Sequence, residues 1–203
     1  MKLQQLQQLR HTTMWKVTWI DLEITSVCNL KCPQCFREQS RYADGIVNKD
    51  HLSLELIKER INKSTYPDLE IVNLCGSVDE PTAHPQFKKI VRYFIEWGVH
   101  VHIATNGSLK TADWWADFGK KMSKSLHSVV FGIDGADAIS EKYRIGSDFE
   151  KVQKNYRAFI KAGGKAIWQF IVFPHNEHQK ELVKKIAKEE GFEKVRFINS
   201  TRK

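Results

Sequence analysis

Stretches rich in β-branched and aromatic residues alternate with amphipathic stretches through most of this chain, and that rhythm restricts the fold more than any other feature. Residues 17–25, VTWIDLEIT, read as a strand; the polar loop RYADGIVNKD and the helix-spaced LSLELIKERINKS follow. EIVNLCG (70–76) leads to HPQFKKIVRYFIEWG (84–98), which Gly98 closes, and VHVHIATNG (99–107) leads to TADWWADFGKKMS. SVVFGIDG (128–135) precedes FEKVQKNYRAFIKAGG (149–164), where paired glycines stop the helix. KAIWQFIVF (165–173), EHQKELVKKIAKEEG (177–191) and EKVRFINS (193–200) complete six strands. Such alternation predicts parallel βαβ units with right-handed crossovers, an α/β fold.

Two closures satisfy this pattern, an open doubly wound sheet or a barrel. A complete eight-stranded barrel typically takes about 250 residues, against 203 here. The glycine fingerprint of a dinucleotide-binding sheet does not follow the first strand. In either closure the active site belongs at the carboxyl ends of the strands. The polar and cysteine-bearing segments fall there: Cys28–Cys35, CGSVDEP, TNG, DG and HNEH.

The composition, 41% hydrophobic and 28% charged, is that of a globular protein and not a disordered one. No apolar run approaches the roughly 20 residues that span a bilayer, and the N-terminus lacks the apolar core of a secretory signal. The expectation is a cytoplasmic protein with no membrane partner. Leu3, Leu6 and Leu9, set in a Gln-rich frame, predict a short helix outside the sheet, so residues 1–16 read as an N-terminal extension and 17–203 as the core domain. A net charge of +8 permits a nucleic-acid partner without favouring one, because both signs mix along the helices.

Three of the four cysteines, Cys28, Cys32 and Cys35, lie within eight residues as C-x3-C-x2-C. Thiolates so spaced on a loop leaving a strand can converge on an iron–sulfur cube, leaving one iron without a protein donor. An open position marks a catalytic metal site. The rival is zinc with Cys75 or a histidine as fourth ligand, but zinc sites usually pair C-x2-C units. Cys75 reads as a buried strand residue, packing as a small hydrophobe. Trp114, Trp115, Phe118 and Trp168 read as packing between helices and sheet.

This spacing after the first strand of an α/β repeat resembles the radical S-adenosylmethionine (radical SAM) superfamily, and the downstream motifs follow in that family's order over residues 17–200. Cys28, Cys32 and Cys35 match the cluster triad. The segment from Gly76 to Pro81, GSVDEP, resembles the loop that meets the methionyl amino group, with Gly76, Glu80 and Pro81 as contacts and Asp79 as a competing polar group. Thr105-Asn106-Gly107 and Ile133-Asp134-Gly135 resemble the family's segments that end strands three and four, which implies Thr105, Asn106 and Asp134 as further cofactor-binding residues. Arg144 falls where relatives place an arginine on the methionyl carboxylate, a charge-assisted contact that suits a guanidinium better than an ammonium. Where the family has an aromatic residue before the third cysteine this chain has Gln34, and Phe36 is the substitute for the adenine contact. Gly132 replaces the family's serine before Ile-Asp-Gly. Gln169 and Asn176 are candidates for the ribose.

The resemblance implies a partial (β/α)6 TIM-type barrel, a 4Fe–4S cluster and S-adenosylmethionine as cofactors, and a flavodoxin- or ferredoxin-like electron donor. Reductive cleavage of S-adenosylmethionine would give a 5′-deoxyadenosyl radical that abstracts hydrogen from a peptide or small organic substrate. With the sixth strand last and no cysteines for a second cluster, the expectation is a core without an auxiliary-cluster region. The competing readings are a non-catalytic iron–sulfur or scaffold protein, a shortened relative whose open edge pairs with a partner chain, and a nucleic-acid-modifying enzyme of the same family.

Overall fold

The computed structural model describes residues 16–39, 50–123 and 127–200. The expected N-terminal helix and nearly all of the loop RYADGIVNKD lie outside the described residues. Six strands, β1 (Trp19–Asp21), β2 (Ile71–Leu74), β3 (His100–Thr105), β4 (Ser128–Gly132), β5 (Ala166–Val172) and β6 (Lys194–Asn199), form one sheet, all parallel, in the order β1-β2-β3-β4-β5-β6. A doubly wound sheet reverses its order midway so that helices cover both faces. Here every crossover steps the same way, and right-handed crossovers then put all the helices on one face. That is the winding of a barrel wall, and it leaves the opposite face free to line an interior.

The register separates the two faces. Ile20, Val72 and Val101 lie side by side, as do Leu74, Ile103, Val129 and Ala166, and then Thr105, Phe131, Trp168 and Val195. These rows pack under the helices, and most of their members are fully buried. The alternate rows, Asp21–Asn73–His102–Ser128, Ala104–Val130–Ile167–Lys194 and Gly132–Gln169–Arg196, face the interior.

Helices α1 (Phe36–Gln39), α2 (Leu54–Arg60), α3 (Phe87–Trp97), α4 (Ala112–Met122), α5 (Phe149–Lys161) and α6 (Lys180–Glu189) start on side-chain caps where the sequence supplies them. The Ser53, Thr111 and Asp148 side chains accept from the amides of Leu56, Trp114 and Lys151, each satisfying one of the donors a first turn leaves free. Gly98, at φ 91°, ends α3 in the left-handed conformation that only glycine adopts without penalty. Trp115, Phe118, Phe131, Tyr156, Phe159 and Trp168 build a buried aromatic core under α4 and α5, as expected for packing residues. Truncating one of these rings to alanine typically costs about 3–5 kcal/mol.

Strand one is shorter than the sequence pattern predicts. After Asp21 only the Leu22 amide still reaches Asn73, and the chain then turns to new partners. Leu52 donates to the Ile24 carbonyl, Ser26 donates to that of Asp50, and Thr25 forms an antiparallel bridge with His51. Cys75 also departs from expectation. It lies one residue past β2, is half-buried, and points its thiol at Glu23 Oε1, 3.5 Å away.

Candidate functional site

At the carboxyl ends of the strands a cavity of about 290 Å3 is lined by Cys28, Cys32, Cys35, Phe36, Gly76, Glu80, Thr105, Asn106 and Arg144, together with Asp79, Gly132, Tyr143 and Gln169. Two residues expected at the site lie behind it: neither Pro81 nor Asp134 lines the cavity.

The cysteine loop is held in place from three sides. The Arg37 guanidinium, on α1, donates to the carbonyls of Ser26 and Val78 and so ties α1 to the segment after β1 and to the GSVDEP loop. Lys31 N donates to Ile145 O. Asn106, at the end of β3, donates through Nδ2 to Asn29 Oδ1 at 3.0 Å and lies 3.9 Å from the Cys28 sulfur. Asn29 in turn donates to Ser108 Oγ, whose own amide and hydroxyl donate to Asn106 Oδ1. The Thr-Asn-Gly segment is thus the bracket for the cysteine loop. Burial pushes the thiols of Cys28 and Cys32 up to about 11, so a positively charged metal centre is what would hold them as thiolates.

Glu80 is consumed by the fold. Its side chain is 1% exposed, and it accepts from Thr82 N at 3.2 Å, Thr82 Oγ1 at 2.6 Å, Thr105 Oγ1 at 2.6 Å and Asn106 N at 2.7 Å. It staples the loop after β2 to the end of β3. Burial raises its carboxyl above the ordinary range, and the four donors oppose that shift. Asp79 is the opposite case. It is buried at the cavity wall with neither carboxylate oxygen in hydrogen-bond geometry with a donor. Burial, then the charge of Glu23, pushes it up to about 9, and the same two causes push the Cys75 thiol up to about 12.

Arg144 is 12% exposed and its Nε lies 2.9 Å from Asp134 Oδ2, an ion pair without the alignment of a hydrogen bond. Burial works against the guanidinium charge, and Asp134, Cys32 and Tyr143 together outweigh it, so the group sits above its ordinary range. Asp134 is itself fixed: Oδ1 accepts from Ile171 N at 2.7 Å, its amide donates to Ser140 Oγ, and its carbonyl accepts from Asn176 Nδ2. Asn176 also donates to Ile171 O and accepts from Phe173 N, so it knots the loops together and is buried away from the cavity. Gly132 has a steric reason. A Cβ there would stand 2.6 Å from Arg144 Nη2, so the arginine lies across β4 where a serine would put its side chain. Phe36, 62% exposed beside Cys35, offers a free aromatic face. Tyr143, on the cavity wall, carries no motif and was not expected there. Its only signal in the sequence is adjacency to Arg144.

The donor set fits a cluster better than a single ion. Among the described residues no three His, Cys, Asp or Glu side chains converge closely enough for one metal ion. A cube gives each thiolate its own iron, so the sulfurs need only face one volume. The unmatched Arg144 edge and Asp79 oxygens suit the carboxylate and ammonium of an amino acid in the same cavity.

The family model described as "Radical SAM superfamily" matches residues 22–188. The "Tungsten-containing aldehyde ferredoxin oxidoreductase cofactor-modifying protein" of Pyrococcus furiosus is 36% identical over 93 residues, which cover 46% of this chain and 25% of that protein. The "GTP 3',8-cyclase" of Psychromonas ingrahamii is 29% identical over 171 residues, 82% of this chain and 47% of that one. Streptococcus suis SuiB bound to S-adenosylmethionine superposes with a TM-score of 0.75 at 16% identity, over 98% of this chain and 44% of its own. AnSMEcpe with bound AdoMet gives 0.69 at 23% identity, over 91% and 50%. The structural matches establish a shared fold, and this chain spans half or less of each of these proteins.

Proposed function

The chain belongs to the radical SAM superfamily, and from that premise we propose that residues 17–203 are the cofactor-binding core of an enzyme of that family. Cys28, Cys32 and Cys35 would hold three irons of a 4Fe–4S cluster, and the fourth iron would take the methionyl end of S-adenosylmethionine. Bound and reduced by a flavodoxin- or ferredoxin-like donor, these cofactors supply one-electron sulfonium cleavage and hydrogen abstraction from an unreactive carbon.

The chain's own residues bind and orient. Arg144 meets the methionyl carboxylate with its charge secured by Asp134, and Gly132 leaves it room. Asp79 meets the methionyl ammonium in place of Glu80, whose oxygens are all engaged. A cation beside Asp79 would favour its ionised form and reverse the cost of burying it. Phe36 covers the adenine in place of the aromatic residue missing at Gln34, and Gln169 reaches the ribose. Thr105, Asn106, Glu80 and Pro81 hold the loops. The observation that carries this reading is the meeting of three thiols and an ion-paired arginine on one cavity at the carboxyl ends of parallel strands.

The substrate is a peptide or small organic molecule. SuiB, solved with its precursor peptide SuiA, and anSMEcpe, solved with the Cp18Cys peptide, support the peptide class. The GTP cyclase supports a nucleotide. Anaerobic reconstitution should yield a brown protein with iron and sulfide in equal amounts that, once reduced, converts S-adenosylmethionine to 5′-deoxyadenosine and methionine. Cys32→Ala should lose both the colour and the product. A wild-type protein that holds iron and sulfide yet forms no 5′-deoxyadenosine would overturn the enzymatic reading.

A further inference from the structure

A closed α/β barrel fills its interior with layers of branched apolar side chains. The interior face of this sheet is built differently. Below the cavity the row Asp21–Asn73–His102–Ser128 crosses four strands without one apolar member. The cavity wall itself continues sideways onto cations: Gln169, which lines the cavity, is paired in register with Arg196 on β6, and Val130 is linked through Ile167 to Lys194. Arg196 and Lys194 are exposed on this face, and among the described residues neither has a carboxylate within ion-pair distance. By register His102 lies on the same face with two strands between, and its pKa is lowered first by burial and then by Arg196, His100 and Lys194.

Other groups here are already engaged. His102 Nδ1 lies 2.6 Å from Ser128 Oγ and its ring stacks against Trp19. Asp21, the acid in this row, accepts from both Trp19 Nε1 and Asn73 Nδ2 on Oδ1. What remains on this face of the sheet is His102 with Ser128 and, among the described residues, two cations without a carboxylate partner, and the face adjoins the proposed cofactor cavity at Gln169 and Val130.

We propose that this surface is the substrate subsite, and that the substrate is a small anion whose phosphate or carboxylate seats against Arg196 and Lys194 with His102 and Ser128 at its base. This rests on the cofactor reading above and specifies its substrate class. Arg196 carries the recognition because its planar fork matches both groups bidentately, with Lys194 adding point charge. The row height matters: Arg196 shares its row with Gln169 and Gly132, so an anchored substrate is held beside the cofactor cavity.

The test uses the reconstituted protein with S-adenosylmethionine present, titrated calorimetrically with inorganic pyrophosphate and, separately, with citrate. Saturable binding is expected for at least one, and the tighter of the two identifies phosphate or carboxylate. Arg196→Ala should weaken it about tenfold, the scale of one charge-assisted contact, Arg196→Lys should recover part of that loss, and Lys188→Ala on the exposed side of α6 should change nothing. Absence of saturable binding of either anion, or unchanged binding by Arg196→Ala, overturns the proposal. Cleavage of S-adenosylmethionine by the same wild-type preparation is read separately. Cleavage without anion binding defeats this proposal alone, and anion binding without cleavage defeats the cofactor reading.

Discussion

Replacing Glu80 by glutamine exchanges one oxygen for an amino group where every neighbour is a donor. Oε1 accepts three hydrogen bonds and Oε2 accepts one, all in a side chain that is 1% exposed. The hydroxyls of Thr82 and Thr105 can rotate to accept from the new amino group, but the amides of Thr82 and Asn106 cannot. Placed at either oxygen position, the amino group therefore faces a backbone N–H and leaves it unpaired in the interior. An unsatisfied buried donor costs about 1–3 kcal/mol, which at this chain length lowers Tm by roughly 2–4 °C per kcal/mol. Differential scanning fluorimetry of wild type and Glu80→Gln under identical anaerobic conditions reads this shift. If instead Glu80 contacts S-adenosylmethionine, the variant will melt with wild type and lose ligand affinity. A Tm within about 1 °C of wild type, outside the expected range, would refute the assignment of Glu80 as a staple between β2 and β3.

Three further outcomes follow from the same geometry. Gly119→Ala puts a Cβ 2.5 Å from the backbone carbonyl of Phe159, where neither helix can yield cheaply; chemical denaturation should show a loss of about 1–3 kcal/mol. Gly132→Ala instead pushes on the Arg144 guanidinium and its ion pair with Asp134, so S-adenosylmethionine binding should weaken about tenfold by equilibrium dialysis, with a stability loss of about 1–3 kcal/mol. Asp79 is raised to about 9 in the fold from an ordinary value near 4, so the native state binds the extra proton and stability in the absence of ligand should fall as pH rises from about 4 to 9. The Asp79→Asn variant should lack that component and gain on the order of 1–3 kcal/mol near neutral pH; a difference in unfolding free energy that is flat with pH would contradict the assignment.

The number and type of the strands, the parallel α/β class and the cysteine triad follow from sequence alone, because each rests on local rules. Period-two and period-3.6 patterning reports which face is buried whatever lies beyond, glycine stops report backbone conformation, and ligand spacing is set by a single loop. The site residues were legible only as candidates. Glu80 and Asp79 are neighbours in the same acidic pair; two of Glu80's donors come from Thr82 in the turn just after it, but the two that tie it down, Thr105 and Asn106, come from the end of β3, far along the chain. Asp134 reads as a contact residue by position, yet its partners Arg144, Ile171 and Asn176 draw it behind the cavity wall. Gly132 reads as a lost serine until Arg144 is seen lying across it. The cations of β6 are ordinary surface residues in the sequence. Only the uninterrupted strand order, which puts them on the same face of the sheet as His102 and Gln169, gives them an interior to face. Local chemistry was written along the chain, whereas burial, charge pairing and the identity of the free oxygen are properties of residues far apart in sequence and therefore belong to the tertiary structure.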